Sequence, residues 1–235
     1  EESRNSADRF QRSGIVAIVT HLFLKHTMLA SILNTPNAKD FFRTFIFKQS
    51  QIAALNYHGI FDGIMSKAQL SSGPQYASGS YPFCSLINHS CAPNVVRVSH
   101  DCKNFVMVNR PIKAGEQLFD NYGYHHCLET HAARQNSLKN QYMFNCFCEA
   151  CVKFYPLYND LPLVTGDFSM YLGSDVEELT QYNYKTARNQ IQNYCKKLAK
   201  LDDKYPCHEI SSLKECLLRC SFMFKLTAFK LKLLQ

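Results

Sequence analysis

An α+β fold is predicted, on three observations. Apolar residues recur at helical spacing in the first and last thirds of the chain, the spacing drops to two in the middle third, and the two patterns are segregated rather than alternating. With 235 residues, 46% of them hydrophobic, the chain is long enough to bury a sizeable core as one large domain or two small ones.

Ile15 to Leu33 carries Ile15, Val19, Leu22, Met28, Leu29, Ile32 and Leu33, which predicts a mostly buried helix ended by Asn34-Thr35-Pro36-Asn37. The block Phe41, Phe42, Phe45, Ile46 and Phe47 leads into a second helical stretch through Asn56, and Ser71-Ser72-Gly73-Pro74 and Ser78-Gly79-Ser80 then mark a loop. Val95 to Val98 and Phe105 to Val108 are short, β-branched runs around His100-Asp101-Cys102-Lys103, the pattern of a hairpin. Lys113 to Glu116 is a turn before a third strand at Gln117 to Tyr122, and helix returns at Leu128 to Tyr142. Past a linker with Pro156 and Pro162, Ser174-Asp175-Val176-Glu177 is a capping box opening a helix that carries Leu179, Ala187, Ile191, Tyr194, Leu198 and Leu201. Pro206 breaks it, and a last helix carries Leu213, Leu217, Cys220, Phe224 and Leu226.

Eleven cysteines are an odd number in a long chain with no signal peptide, so a reducing compartment is expected, cytoplasmic and nuclear. The apolar stretch from Ile15 is interrupted by His21, Lys25 and His26, and no membrane anchor is read. Residues 185–235 hold eleven Lys/Arg against four Asp/Glu and so carry the whole net charge of +7. Such a tail suits an acidic protein surface or nucleic acid, but solvated faces of amphipathic helices are the commoner cause and nucleic acid is disfavoured.

The chemistry concentrates at Cys146-x-Cys148-x-x-Cys151. Thiols so close cannot pair without strain, and this spacing in a reduced chain fits zinc better than three small core side chains. Spacing leaves the fourth ligand open: Cys91, 55 residues upstream in Asn88-His89-Ser90-Cys91, competes with seven other cysteines.

Asn88-His89-Ser90-Cys91, then Gly115 to Gly123 with Asp120-Asn121-Tyr122-Gly123, then the cysteine triplet, form an ordered trio that resembles the SET domain of protein lysine methyltransferases, in particular the SET-and-MYND family. The likeness covers roughly residues 15–235 and is densest from 81 to 162. It implies short sheets with a threaded pseudoknot, divided as a helical insert (1–80), a SET core (81–124), a post-SET zinc region (125–162) and a helical C-terminal region (163–235) through which protein partners can bind. It makes Cys91 the fourth ligand beside Cys146, Cys148 and Cys151, a closed structural zinc site. It assigns Asn56, Asn88, His89, Tyr122 and Phe144 to S-adenosylmethionine, and Tyr122 and Tyr142 to the catalytic channel for a lysine of a protein substrate. Tyr142 and Phe144 would otherwise pass for core aromatics, and Asn56 lacks the glutamine the family usually has four residues earlier, Ile52 standing there. The family's N-terminal Gly-x-Gly segment, which completes its S-adenosylmethionine pocket, and its MYND zinc module have no counterpart here, so the sequence is expected to be a fragment that lacks part of the cofactor site and binds the cofactor poorly by itself.

Protein-lysine N-methylation is therefore the expected function. A catalytically silent SET-like zinc scaffold for protein interaction is the main rival, and a nucleic-acid-binding zinc module, lacking any finger or RNA-platform motif, is the weaker one.

Overall fold

The computed structural model describes residues 4–61, 75–100, 102–165, 184–218 and 220. A helical hairpin opens the chain: α1 (Ser6–His26), a single turn α2 (Leu29–Ile32) and α3 (Pro36–Asn56). Asn5 caps α1 by accepting from the Asp8 N–H, and Thr35 caps α3 ahead of Pro36 at its first position. The first helix begins nine residues before Ile15 and stops at Thr27, whose hydroxyl bonds back to the Phe23 carbonyl at 2.7 Å. Its polar first turns, tied by Asp8 to Arg4 and Arg12, carry no apolar period, which is why hydrophobic spacing alone placed the helix too late. The hairpin is antiparallel: Arg4 and Arg12 reach the carbonyls of Gln51 and Ser50, and Phe23 meets Phe42 edge-on at 5.9 Å.

β1 (Tyr57–Phe61) pairs antiparallel with β2 (Gln75–Ser80), so the Ser-Gly-Ser segment read as a loop is a strand. Gly79 is there for space: a Cβ would lie 2.9 Å from the Tyr81 ring. A short helix α4 (Pro82–Ser85) leads to β3 (Asn88–His89), followed by the expected hairpin of β4 (Val95–His100) and β5 (Lys103–Val108), in register from Val95↔Val108 to His100↔Lys103. β6 (Phe119–Asp120) returns to lie parallel to β3, with Asn88 opposite Phe119 and His89 opposite Asp120. Parallel neighbours need a crossover, and the hairpin is the bulk of it. The predicted third strand shrinks to these two residues because side chains replace ladder bonds on either side. Asn94 accepts from the Phe119 N–H and donates to the Gln117 carbonyl, while Asn121 accepts from the Gly123 N–H, Gly123 standing at φ 111°.

α5 (His131–Tyr142) is capped by Thr130 and ends at Met143, in the left-handed region at φ 64°. α6 (Glu149–Val152) follows the cysteines, and α7 (Tyr184–Leu201) and α8 (residues 208–218) form the C-terminal pair. The capping box at 174–177 lies outside the described residues.

Two apolar cores result. One gathers Cys91, Leu138, Cys146, Ala150, Cys151 and Tyr155; the other gathers Tyr194, Leu201, Cys207, Ile210, Leu213, Cys216 and Cys220, and Tyr205 packs against both. Its hydroxyl lies 3.0 Å from His126 Nε2. Among the described residues no helix is long and apolar enough to cross a membrane.

Candidate active site and zinc centre

The four thiols converge. Cys91 Sγ lies 3.6 Å from Cys151 Sγ and 4.0 Å from Cys146 Sγ, and all four sulfurs fall within 4.8 Å of one another. Sulfurs about 2.3 Å from a zinc ion form a tetrahedron with edges of about 3.8 Å, so the cluster can hold zinc with little rearrangement. Cys91 arrives from the turn after β3, Cys146 from the segment behind α5, and Cys148 and Cys151 flank the start of α6. The Cys91 N–H points at Cys148 Sγ at 3.3 Å. Hydrogen bonds from Cys146 and Cys91 pull the Cys148 thiol far below its ordinary value, while bonds to Cys146 and Cys148 push that of Cys91 far above it. A bound cation would draw all four toward thiolate.

Two residues outside the motif support this centre. Arg134 is fully buried on α5 with Nη2 3.8 Å from Cys151 Sγ, so its charge would offset the net negative charge of four thiolates around a zinc ion. Gln135 holds the Cys146 backbone by both groups, donating to its carbonyl at 2.7 Å and accepting from its N–H at 2.9 Å. Neither was legible in the sequence, since a buried arginine on a polar helix is written like a surface one.

His89, beside Cys91, carries the geometry into the aromatic group. Its Nδ1 accepts the Tyr122 N–H at 3.1 Å, which leaves the ring proton on Nε2, 3.4 Å from Cys91 Sγ. Burial lowers this histidine to about 4, so the ring is neutral. The Tyr122 ring lies 5.1 Å from that of His89 and 4.9 Å from that of Tyr142; Phe144 is 6.0 Å from His89 and 6.4 Å from Tyr142. Tyr142 and Phe144 reach one group because Met143 between them takes the left-handed conformation and turns the chain back as α5 ends.

Burial, then the nearby Asp120 charge, raises the Tyr122 phenol, and burial pushes Tyr142 up to about 12, so both are neutral donors near pH 7. The Tyr122 hydroxyl donates to the Ile87 carbonyl at 2.8 Å. With that proton committed, the phenol oxygen is left to accept.

The structure therefore brings together His89, Tyr122, Tyr142, Phe144 and the four cysteines. Asn88 is exposed on β3, next to the group. Asn56 ends α3 with its amide donated to the Ile52 carbonyl at 3.0 Å, and the contacts that assemble the aromatic group do not include it. Asn94, 1% exposed and bonded to Glu116, Gln117 and Phe119, is a missed residue that holds the approach to Asp120.

These positions can be set against known proteins. Residues 14–123 match the SET domain family. The SET domain-containing protein L678 of Acanthamoeba polyphaga mimivirus is 30% identical over 153 residues, covering 53% of this chain and 59% of its own. Mouse histone-lysine N-methyltransferase SMYD3 is 37% identical over 89 residues, 38% of this chain and 20% of its own. Human protein-lysine N-methyltransferase SMYD4 is 36% identical over 75 residues, 32% of this chain and 9% of its own. The chain thus spans less than two thirds of each of these relatives. The family match covers just under half of the chain, so what it shows is a likeness to the SET domain, with lysine methyltransferases among the similar proteins, beside a cysteine cluster able to hold zinc.

Proposed function

We propose that this chain forms the catalytic core of an S-adenosylmethionine-dependent protein-lysine N-methyltransferase of the SET-and-MYND type. Within that type, the runs 120–126 and 145–151 suggest a likeness to SET and MYND domain-containing protein 4. The observation that carries the reading is Tyr122: a neutral phenol at the centre of an aromatic group, its proton given to Ile87 and its oxygen left as acceptor, one histidine away from a four-cysteine cluster.

S-adenosylmethionine supplies the methyl group as a sulfonium. A lysine amine must meet it in line, unprotonated and out of water. The Tyr122 oxygen accepts an amine N–H and faces the positive charge as it spreads toward nitrogen. The rings of Tyr142 and Phe144 provide π faces suited to a sulfonium, a methylammonium or a purine, each contact worth about 0.5 to 2 kcal/mol. A chamber that desolvates the lysine lowers its pKa, which favours the neutral amine, and the proton leaves to solvent. Cys91, Cys146, Cys148 and Cys151 would hold a structural zinc, and such a tie between the turn after β3 and the segment behind α5 would fix where His89 and Phe144 stand.

The test is calorimetric titration with S-adenosylmethionine together with transfer of labelled methyl groups to lysine-containing peptides, on the full-length protein and its His89→Ala variant, since residues 1–235 alone are expected to form only one side of the cofactor pocket and to bind poorly. Micromolar binding, about −8 kcal/mol, that weakens in the variant, with label on lysine, supports the reading. Binding without label points to a silent scaffold; no binding overturns the cofactor assignment.

A further inference from the structure

Arg97 leaves the middle of β4 and joins three elements at one point. Its Nε donates to the Asp120 carboxylate, Nη1 meets His58 Nδ1 on β1, and Nη2 donates to the Asn121 carbonyl at 3.3 Å. Asp120 is 3% exposed, and Arg97 is the cation paired with it. The network continues behind His58, whose Nε2 lies 3.2 Å from Ser85 Oγ, itself 3.1 Å from the Tyr81 carbonyl and 3.2 Å from that of Asn56. Because Nδ1 of His58 accepts from the guanidinium, its proton sits on Nε2 and is given to Ser85.

The two residues Arg97 grips are those immediately before Tyr122. On the other side, the Ser90 N–H donates to the Asp120 carbonyl at 2.8 Å and His89 takes the Tyr122 N–H. The strand is therefore held from the β3 side by backbone and His89, and from the β4 side by Asn94 at Phe119 and by Arg97 at Asp120 and Asn121, the two residues nearest Tyr122.

We propose that Arg97 is a positioning residue for Tyr122: by binding the Asp120 carboxylate and the Asn121 carbonyl together, it sets the direction in which the phenol leaves the strand. The role rests on the reading of Tyr122 as the amine-orienting group. The planar fork matters, because three acceptors on two segments, β1 and the end of β6 with Asn121 just beyond it, are met by fixed N–H directions that a lysine ammonium does not reproduce. A misplacement of the phenol by about 1 Å is enough to cost on the order of 100-fold in rate.

The test uses Arg97→Lys, Arg97→Met and Arg97→Met paired with Asp120→Asn. The single Arg97→Met leaves a buried carboxylate unpaired and stands to unfold, whereas the pair leaves no buried charge behind. With 3-fluorotyrosine incorporated, the resonance of residue 122, identified by its loss in Tyr122→Phe, reports the ring's setting without any turnover. We expect it to shift and broaden in the folded double variant and in Arg97→Lys. In the same proteins kcat for methyl transfer falls about 10- to 100-fold, while peptide KM and cofactor affinity change less than about threefold. Rescue of kcat by lysine, or an unmoved resonance in the folded double variant, overturns the proposal. A wild type that neither binds cofactor nor transfers methyl, yet shows the resonance shift on substitution, overturns the proposed function and leaves the positioning role standing.

Discussion

The Tyr122 hydroxyl donates to the Ile87 carbonyl, and that bond decides what its removal should do. Tyr122→Phe deletes the oxygen and little volume, so the ring contacts with His89 and Tyr142 persist. Methyl transfer should fall on the order of 10- to 1000-fold, about 1.4 to 4 kcal/mol of transition-state stabilisation, with cofactor affinity nearly kept. An unchanged rate at saturating peptide would remove the hydroxyl from the mechanism. His58 gives a pH dependence of a different kind. Burial, then the Arg97 charge, lowers its folded value from 6.5 to about 4. Between those values the unfolded chain binds the proton and the folded chain does not, so this residue's share of stability is present above pH 6.5 and is lost as pH falls toward 4. Urea unfolding of wild type and His58→Gln across that range should show a shallower pH dependence in the variant. Parallel curves would mean that His58 is already charged in the folded state.

At the scale of elements, the turn after α5 is a local strain that the site uses. Met143 stands at φ 64°, where a side chain is disfavoured by roughly 1 kcal/mol, and its N–H closes the helix on the Lys139 carbonyl. Met143→Gly should hold or raise stability by about that amount, and Met143→Val should lower it and splay Tyr142 from Phe144. Thermal melts of both variants measure this, and a Gly variant less stable than Val would show that Met143 is held by packing rather than by its turn. The same turn marks the border of what the sequence disclosed. Thiol spacing and period-two alternation are written in neighbouring residues, so the Cys146–Cys151 cluster and the β4–β5 hairpin were legible. Gly79 read as a turn because composition cannot show that the Tyr81 ring presses on it. The Arg97–Asp120 pair spans 23 residues and two strands, and no local pattern distinguishes it from two surface charges. Asn94 had the same disguise: a polar residue next to proline suggests a loop, whereas its four partners make it the clamp of the segment before β6.

Over the whole molecule, the cysteine cluster is the nearest thing to a keystone. It fastens the turn after β3 to the segment that carries Phe144, and among the described residues its core meets the α7–α8 core around Tyr205. The seam itself is largely polar: Tyr205 to His126, Tyr158 to Ser212 at 2.8 Å, the His208 N–H to the Pro162 carbonyl at 3.0 Å, and Glu209 accepting from the Val164 and Thr165 N–H groups at 2.7 and 2.8 Å. None of these bonds involves a cysteine of the cluster, so the two halves should respond differently to loss of metal. Without zinc, the three buried thiols, the half-buried Cys148 and the buried Arg134 charge are left with no cation to organise them, which costs the first half its tie between distant segments. Purified protein should contain at least one zinc for this cluster, and Cys148→Ser should lose it by elemental analysis. Hydrogen exchange on that variant should show the amides of Ser90, Cys91 and Cys151 losing protection by orders of magnitude, while those within residues 208–218 lose far less. Uniform loss along the chain would mean the halves unfold as one unit and that the polar seam, not the metal, sets their cooperativity. Undiminished zinc in Cys148→Ser would show that the ion, if present, is held elsewhere.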